Sequence, residues 1–249
     1  MLLGIDHLVI AVADPHEAAA ELEARIGLAC SGGGRHPSWG TWNRLAWFGD
    51  TYAELIGVFD RSLAPSGAVS RAVVAALDRG AEGLITYALA TDDAGADLVR
   101  LRGAGSELSD LEARSRTRPD GEVVRWRAAF PATLASDEPP FIVEHEPVGA
   151  EWGPEARRER ARFRHPIGGP VRLRAMSLPV RDPAATAARY RAALGLHATG
   201  EPRTIVVGDQ AVRLLGATDP SEPVVLDLEA PGASPLDVVA LGVRWRIAG

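Results

Sequence analysis

Two polar side chains interrupt strand-like apolar stretches in the first quarter of the chain. His7 lies within Ile5 to Val12, and Glu54 lies within Tyr52 to Val58. Burying an imidazole or a carboxylate costs free energy unless the group finds a hydrogen-bond partner, an opposite charge or a cation. We therefore expect both side chains to line a functional cleft. The alternative for His7 is a core histidine that is bonded to a neighbouring carbonyl group.

A glycine-rich loop carries a second group of polar and aromatic side chains. It combines a cation, an imidazole, an indole and a hydroxyl group, at Arg35, His36, Trp39 and Thr41. Such a mixture is a suitable lining for a polar organic ligand. The alternative is a tightly folded loop anchored by Trp39. Arg118 is a further candidate contact, although its Arg-Pro-Asp-Gly context is typical of a hairpin turn.

The elements that position these residues begin with a strand and a helix. Residues 5 to 12 predict a buried strand. Asp14 and Pro15 predict the N-cap and first residue of a helix over residues 15 to 26, and Gly27 ends it. Two strand-like runs joined by a hairpin turn follow. The first 60 residues therefore predict a strand, a helix, and two or three strands.

This order recurs along the chain. Residues 83 to 93 match residues 4 to 14 at a constant offset, and residues 179 to 183 match residues 11 to 15. Residues 147 to 172 are rich in Gly and Pro and are the best boundary. We expect a domain over residues 1 to 146, a linker over 147 to 172, and a third, degenerate unit over 173 to 249. The last part of that unit is long enough for a truncated fourth copy.

Several local sequences resemble the glyoxalase-like domain family of the vicinal oxygen chelate superfamily. They lie at residues 4 to 14, 33 to 45, 116 to 121 and 140 to 144. The resemblance implies an α+β fold in which two strand-helix-strand-strand-strand (βαβββ) modules pair, so that a curved mixed sheet surrounds a cleft. It also implies that the first and last strands of each module carry the ligands of a divalent ion.

Position by position, the resemblance assigns His7 and Glu54 in the first module, and Thr86 and Glu144 in the second. One imidazole and two carboxylates, from His7, Glu54 and Glu144, suit Mn, Fe, Ni or Zn. Thr86 departs from the pattern because a hydroxyl is a poor ligand, so it is assigned to substrate contact and a metal-free site is equally compatible. A one-residue change of strand register would turn His145 inward instead of Glu144.

The third unit cannot repeat this ligand set. It has Ala175 where His7 stands and Arg213 where Glu54 stands. We therefore expect it to support the fold, and to cover the open side of its sheet with residues 222 to 249 or with a second chain in a homodimer.

Two functions remain open at this point. One is a metal-dependent lyase, isomerase or dioxygenase that acts on an oxygen-bearing organic substrate, with Glu54 or Glu144 moving a proton. The other is a metal-free protein that sequesters a toxic or antibiotic small molecule. The net charge of -6 argues against nucleic acid. The absence of a long apolar run and the single cysteine predict a cytoplasmic protein that does not enter a membrane.

Overall fold

The computed structural model describes residues 1–196, 201–219 and 222–249. The strands of the first half are β1 Leu2–Ala11, β2 Gly34–His36, β3 Thr41–Phe48, β4 Thr51–Val58, β5 Gly83–Thr91, β6 Glu112–Thr117, β7 Val123–Ala129 and β8 Phe141–His145. Those of the second half are β9 Arg172–Val180, β10 Thr204–Val207, β11 Gln210–Gly216, β12 Val224–Glu229, β13 Leu236–Ala240 and β14 Val243–Ala248. The helices are α1 Pro15–Ile26, α2 Ala68–Asp78, α3 Ala94–Gly103, α4 Gly149–Trp152, α5 Pro154–Arg160 and α6 Pro183–Leu194.

The first eight strands form one sheet that closes on itself, in the order β1-β4-β3-β2-β6-β7-β8-β5. Two modules of the predicted kind build it. Each has a first strand parallel to its last, β1 with β4 and β5 with β8, and the two first strands pair antiparallel. Closure is completed where Arg35 of β2 pairs with Thr117 of β6. The fold is the expected α+β arrangement, and we call this element the closed sheet.

The last six strands form a second mixed sheet in the order β10-β11-β9-β12-β14-β13. It repeats the same pairing rule, because β9 is parallel to β11, β12 is parallel to β14, and β9 and β12 pair antiparallel. Residues 222–249 therefore pair along β9 and cover the open side of the third unit. We call this element the six-stranded sheet.

Helix α1 shows how local sequence sets these elements. The Asp14 carboxylate accepts hydrogen bonds from the backbone N–H groups of His16 at 2.7 Å and Glu17 at 3.1 Å, which caps the first turn. Gly27 ends the helix in a left-handed conformation with φ 76°. Ala18, Leu22 and Ile26 lie on its buried face.

One large core joins the two sheets. The outer face of the closed sheet contributes Leu8, Ile10 and Leu89, and the six-stranded sheet contributes Met176 and Trp245 to the same cluster. A smaller core fills the inside of the closed sheet. The candidate site lies next to that inner core. Among the described residues, no helix has the length and apolar character needed to span a membrane.

Candidate functional site

Three side chains point into the closed sheet from three different strands: His7 from β1, Glu54 from β4 and His145 from β8. Alternation along a strand explains why they share a face. They stand two residues away from apolar side chains of the inner core, which are Val9, Ile56 and Val143. Together with aromatic neighbours they enclose a cavity of about 40 Å³.

Asp6 adds a carboxylate to this group although it is adjacent to His7 in sequence. The pairing of β1 with β5 is irregular between Ile5 and His7, so this part of the strand does not follow simple alternation. One carboxylate oxygen, Oδ1, lies 2.6 Å from His7 Nδ1 and 3.1 Å from His145 Nε2. The ligand atoms of Asp6, His7 and His145 all lie within 4.8 Å of one another. We call these three residues the Asp–His cluster.

Asp6 is held as an anion. Burial by itself would raise the pKa of its carboxyl, but the charge of His145 and the hydrogen bonds of His145 and His7 lower that pKa below its ordinary value. In contrast, burial lowers the pKa of His36 to about 3, and the positive charge of Arg116 adds to the shift. His36 is therefore neutral at physiological pH.

Glu54 faces His7 across the cavity. Its Oε1 accepts a hydrogen bond of 2.5 Å from the Asn43 side-chain amide, and its Oε2 lies 3.8 Å from His7 Nε2. Glu54 is only 7 % exposed, so this oxygen is shielded from bulk water. A carboxylate held in this way can accept a proton from a bound molecule or contribute to a cation site.

The expectation that Glu144 joins His7 and Glu54 is wrong. Glu144 Oε2 accepts hydrogen bonds from the backbone N–H of Ala94, at 2.8 Å, and from Arg127, at 2.6 Å. It therefore lies on the outer face of β8, on the side of α3. Its neighbour Ile142 packs with α3 on that face. The register in which His145 points inward is the one that the structure adopts.

The other residues assigned to substrate contact divide into two groups. His36 and Trp39 line the cavity, and Thr41 Oγ1 lies 3.0 Å from His36 Nδ1.

Three other residues assigned to substrate contact, Arg35, Thr86 and Arg118, do not line this cavity. Arg35 is exposed and stacks on Phe59. Thr86 is buried beside Val9, and its hydroxyl has no hydrogen-bond partner among the described residues. Arg118 binds Asp120 and Glu151, with its Nη1 2.9 Å from Glu151 Oε2.

Residues 147–165, expected to lie in a linker, pack over one end of the closed sheet, and we call them the cap. Trp152 of the cap stacks on His145 with a ring-centre distance of 3.7 Å and an angle of 11°. Glu151 is 4 % exposed and forms ion pairs with Arg116 and Arg118 of the closed sheet. The cap therefore forms part of the wall of the site.

The sequence contained weak signals for the residues that were missed. Asp6 is a second charged group in the same apolar stretch as His7, and a buried acid there requires partners. Trp152 lies in a segment whose Gly and Pro content suggested an exposed connection. No local pattern showed that its indole would stack on His145.

The donor set fits a divalent cation. Two imidazoles and two carboxylates are the ligands that Zn, Mn, Fe and Ni accept. The cavity of about 40 Å³ exceeds the roughly 10–15 Å³ that one water requires. Thr86 offers no comparable ligand from β5, so the candidate ligands lie on β1, β4 and β8.

Comparisons with known proteins agree with this architecture. The family model of the glyoxalase-like domain matches residues 5–198. The chain therefore belongs to the glyoxalase-like domain family. A hypothetical protein from Staphylococcus aureus has a similar fold, with a TM-score of 0.78 and 15 % identity over 99 % of both chains.

Two epimerase structures match only part of the chain. Methylmalonyl-CoA epimerase from Mycobacterium tuberculosis is 21 % identical and has a TM-score of 0.43, over 59 % of this chain and 90 % of that one. The Streptomyces coelicolor epimerase in complex with 2-nitronate-propionyl-CoA has the same identity and TM-score, over 58 % and 98 %. A comparison with curated proteins gave no match.

Proposed function

We propose that this protein is an enzyme that acts on an oxygen-bearing organic molecule with the help of a divalent metal ion. The observation that carries the proposal is the meeting of Asp6, His7 and His145 within 4.8 Å, with Glu54 3.8 Å from His7. His7 and His145 would hold the ion together with carboxylate oxygens of Asp6 and Glu54. When bound, the ion would polarise a carbonyl or bind neighbouring oxygens of the substrate, the chemistry of lyases, isomerases and dioxygenases on this scaffold.

The chain's own residues supply orientation and proton transfer. When no ion is bound, the Asp6 carboxylate accepts hydrogen bonds from the two imidazoles, which orients both rings. Glu54 has one oxygen bound by Asn43 and the other directed toward His7, so it is the candidate proton acceptor. The aromatic walls limit access of water to these groups.

The test is metal analysis of protein purified without an affinity tag or chelator, followed by titration with Mn, Fe, Ni and Zn. We expect about one ion per chain in the wild type. His7→Ala and His145→Ala should each weaken binding by more than the roughly 10–100-fold that loss of an outer partner costs. Glu144→Gln is the matched control, because Glu144 lies on the outer face and should leave affinity unchanged. Loss of binding in Glu144→Gln equal to that in His145→Ala would contradict the proposal.

One observation favours metal-free binding of a small molecule as the second candidate. Thr86 occupies the β5 position where the superfamily pattern places a ligand, and its buried hydroxyl is unpartnered among the described residues. If none of the four metals binds the wild type while a small molecule does, the sequestration function replaces the enzymatic one.

A further inference from the structure

The inner cavity is much smaller than the pockets that bind organic molecules. Its volume is about 40 Å³, whereas such pockets typically measure about 300–1,000 Å³. Glu54 and His7 line this inner cavity. A larger cavity of about 400 Å³ lies between the closed sheet, the cap and the six-stranded sheet, and its walls include His145, Trp152 and Gln210. An organic molecule therefore fits in the larger cavity, but it does not reach Glu54 in the conformation that the structure shows.

Trp152 of the cap closes the end of the closed sheet where the two cavities meet. His145 lines both cavities, Trp152 lines the larger one, and their rings stack with a centre distance of 3.7 Å. On its other sides the indole packs on Trp47, Tyr52 and Val124, from β3, β4 and β7. Withdrawal of this indole would uncover His145 and Tyr52, and would enlarge the inner cavity from that end.

Side chains, rather than backbone hydrogen bonds, attach the cap to the two sheets. Among the described residues, every backbone–backbone hydrogen bond of residues 149–164 stays within that segment. The cap begins at Gly149, which has φ 75°. It ends at His165, whose ring bonds the Ala29 N–H at 3.1 Å and the Trp47 carbonyl at 2.7 Å. A segment of this kind can move without breaking any pairing of the sheets, so it can open while both sheets stay folded.

Ion pairs hold the cap against the closed sheet. The two carboxylate oxygens of Glu151 pair with different arginines, Oε1 with Arg116 and Oε2 with Arg118. Glu151 and Arg116 are each only 4 % exposed. Removal of one partner from such a shielded pair is strongly destabilising, because the other charge is left without compensation. Arg157 also lies 2.9 Å from Asp50, but both side chains are about half exposed, so this pair contributes little. The contacts of Glu151 are therefore the main attachment.

We propose that the cap is a lid over the Asp–His cluster, with Trp152 as its plug and the ion pairs of Glu151 as its latch. In the closed state the indole shields the cluster from water and from organic molecules. In the open state the inner cavity joins the larger one, so a molecule held there reaches His7 and Glu54. The role of the lid in a reaction rests on the proposed function, but opening itself requires no ion.

Solvent exchange of the Trp152 indole N–H measures opening of the lid. This N–H is buried and has no hydrogen bond among the described residues, so exposure to water is all that its exchange requires. We would follow it by NMR in ¹⁵N-labelled protein, assign it with Trp152→Phe, and compare it with the backbone amides of β9, a strand of the large core. Its protection should be at least roughly 100-fold lower than theirs. Low urea concentrations should leave its exchange unchanged, because opening of the cap exposes little surface. Equal protection and equal urea dependence of the two would overturn the proposal.

Glu151→Gln tests the latch. It should speed exchange of the Trp152 N–H by roughly tenfold or more, since Arg116 and Arg118 lose their shared counter-charge. Glu155→Gln is the matched control, because Glu155 is an exposed acid of the cap with no ion pair among the described residues. Arg118→Gln removes only one of the two pairs, and it replaces Glu151→Gln if that variant does not fold. No acceleration in the latch variant, or an equal acceleration in Glu155→Gln, would contradict the assignment of the latch.

Reaction of His145 with diethyl pyrocarbonate, followed by peptide mass spectrometry, tests access of an organic molecule. The reaction should be faster in Glu151→Gln than in the wild type by the same factor as Trp152 exchange, while the exposed His16 reacts equally in both. Faster Trp152 exchange without faster reaction of His145 would show that the cap is not the barrier. Metal titration of the same samples separates the two proposals. Opening without metal binding supports the lid and contradicts the metal-assisted reaction, and metal binding without local opening does the reverse.

Discussion

The Asp6 carboxylate determines the chemistry of the two imidazoles because one of its oxygens bonds both. An anion at that position favours a proton on His7 Nδ1 and on His145 Nε2. His7 Nε2 faces Glu54, and His145 Nδ1 has no hydrogen-bond partner among the described residues. Each ring therefore has a second nitrogen that Asp6 does not bond.

His36 is a buried histidine with a different role, and it makes a clear prediction about pH. Its pKa is about 3 in the folded protein, against about 6.5 in an unfolded chain. Between these values the unfolded chain binds a proton that the folded protein does not, so the free energy of unfolding decreases as pH falls. We expect His36 to contribute about 1.4 kcal/mol per pH unit to this decrease below about pH 6.5.

Urea unfolding between about pH 7 and pH 5, in the presence of a chelator, would measure this contribution. In His36→Gln the free energy of unfolding should depend less steeply on pH than in the wild type. His16→Gln, at an exposed histidine, is the control and should retain the wild-type slope. Equal slopes in the wild type and His36→Gln would show that His36 is protonated in the folded state.

The sequence pointed to some of the residues that line the inner cavity and missed others for identifiable reasons. His7 and Glu54 stand out in the sequence because each interrupts an apolar strand. Glu144 was preferred to His145 because the two differ only in strand register, which depends on partner strands. Asp6 was missed because its placement depends on an irregularity in the pairing of β1 with β5.

That irregularity is held by a residue more than 200 positions away. Gln210, at the start of β11, accepts a hydrogen bond of 2.5 Å from the Ile5 N–H and donates one of 2.9 Å to Thr51 Oγ1. Thr51 in turn donates to the Ile5 carbonyl at 2.7 Å. The hairpin of the six-stranded sheet therefore satisfies the backbone of β1 next to Asp6.

We expect Gln210→Ala to affect the Asp–His cluster as well as stability. Loss of the side chain leaves the buried Ile5 N–H unpaired, which should cost about 1–3 kcal/mol of the free energy of unfolding. It should also weaken metal binding, by roughly 10–100-fold, because Asp6 and His7 lose their support. Asp209→Ala, at an exposed position of the same hairpin, should change neither. If Gln210→Ala is less stable but binds metal like the wild type, Gln210 only joins the two sheets.

The packing of the cap against the closed sheet could not be predicted from the sequence either. Its Gly and Pro residues predict a break between the repeated units, and no strand lies within residues 147–165. Its packing depends on single long-range contacts, such as the ion pairs of Glu151 and the bonds from His165 to Ala29 N–H and Trp47 carbonyl. Such contacts have no periodic pattern in the sequence.

The same strand arrangement occurs in both halves of the chain, but only one half closes. In the first half the paired modules close around a cavity with ionisable groups. In the second half the sheet stays open, and ion pairs such as Arg213 with Asp227 and Arg244 with Asp237 are partly exposed to solvent. Repetition of the fold was readable from the sequence because Asp-Pro and strand patterns recur. Closure depends on the short pairing of β2 with β6, which no pattern in the sequence predicts.

The two halves should unfold as one unit, because the large core belongs to both. Leu89 of the closed sheet and Leu226 of the six-stranded sheet are both fully buried in it. Native-state hydrogen exchange should therefore give opening free energies for the amides of β5 and β9 that agree within about 1 kcal/mol. Leu226→Ala should lower both values together by about 2–5 kcal/mol, because it leaves a cavity in the shared core. Val206→Ala, at a residue that is 56 % exposed on β10, should change neither. A loss of protection confined to β9–β14 in Leu226→Ala would mean that the six-stranded sheet opens separately, and the cavity between the two sheets would then open with it.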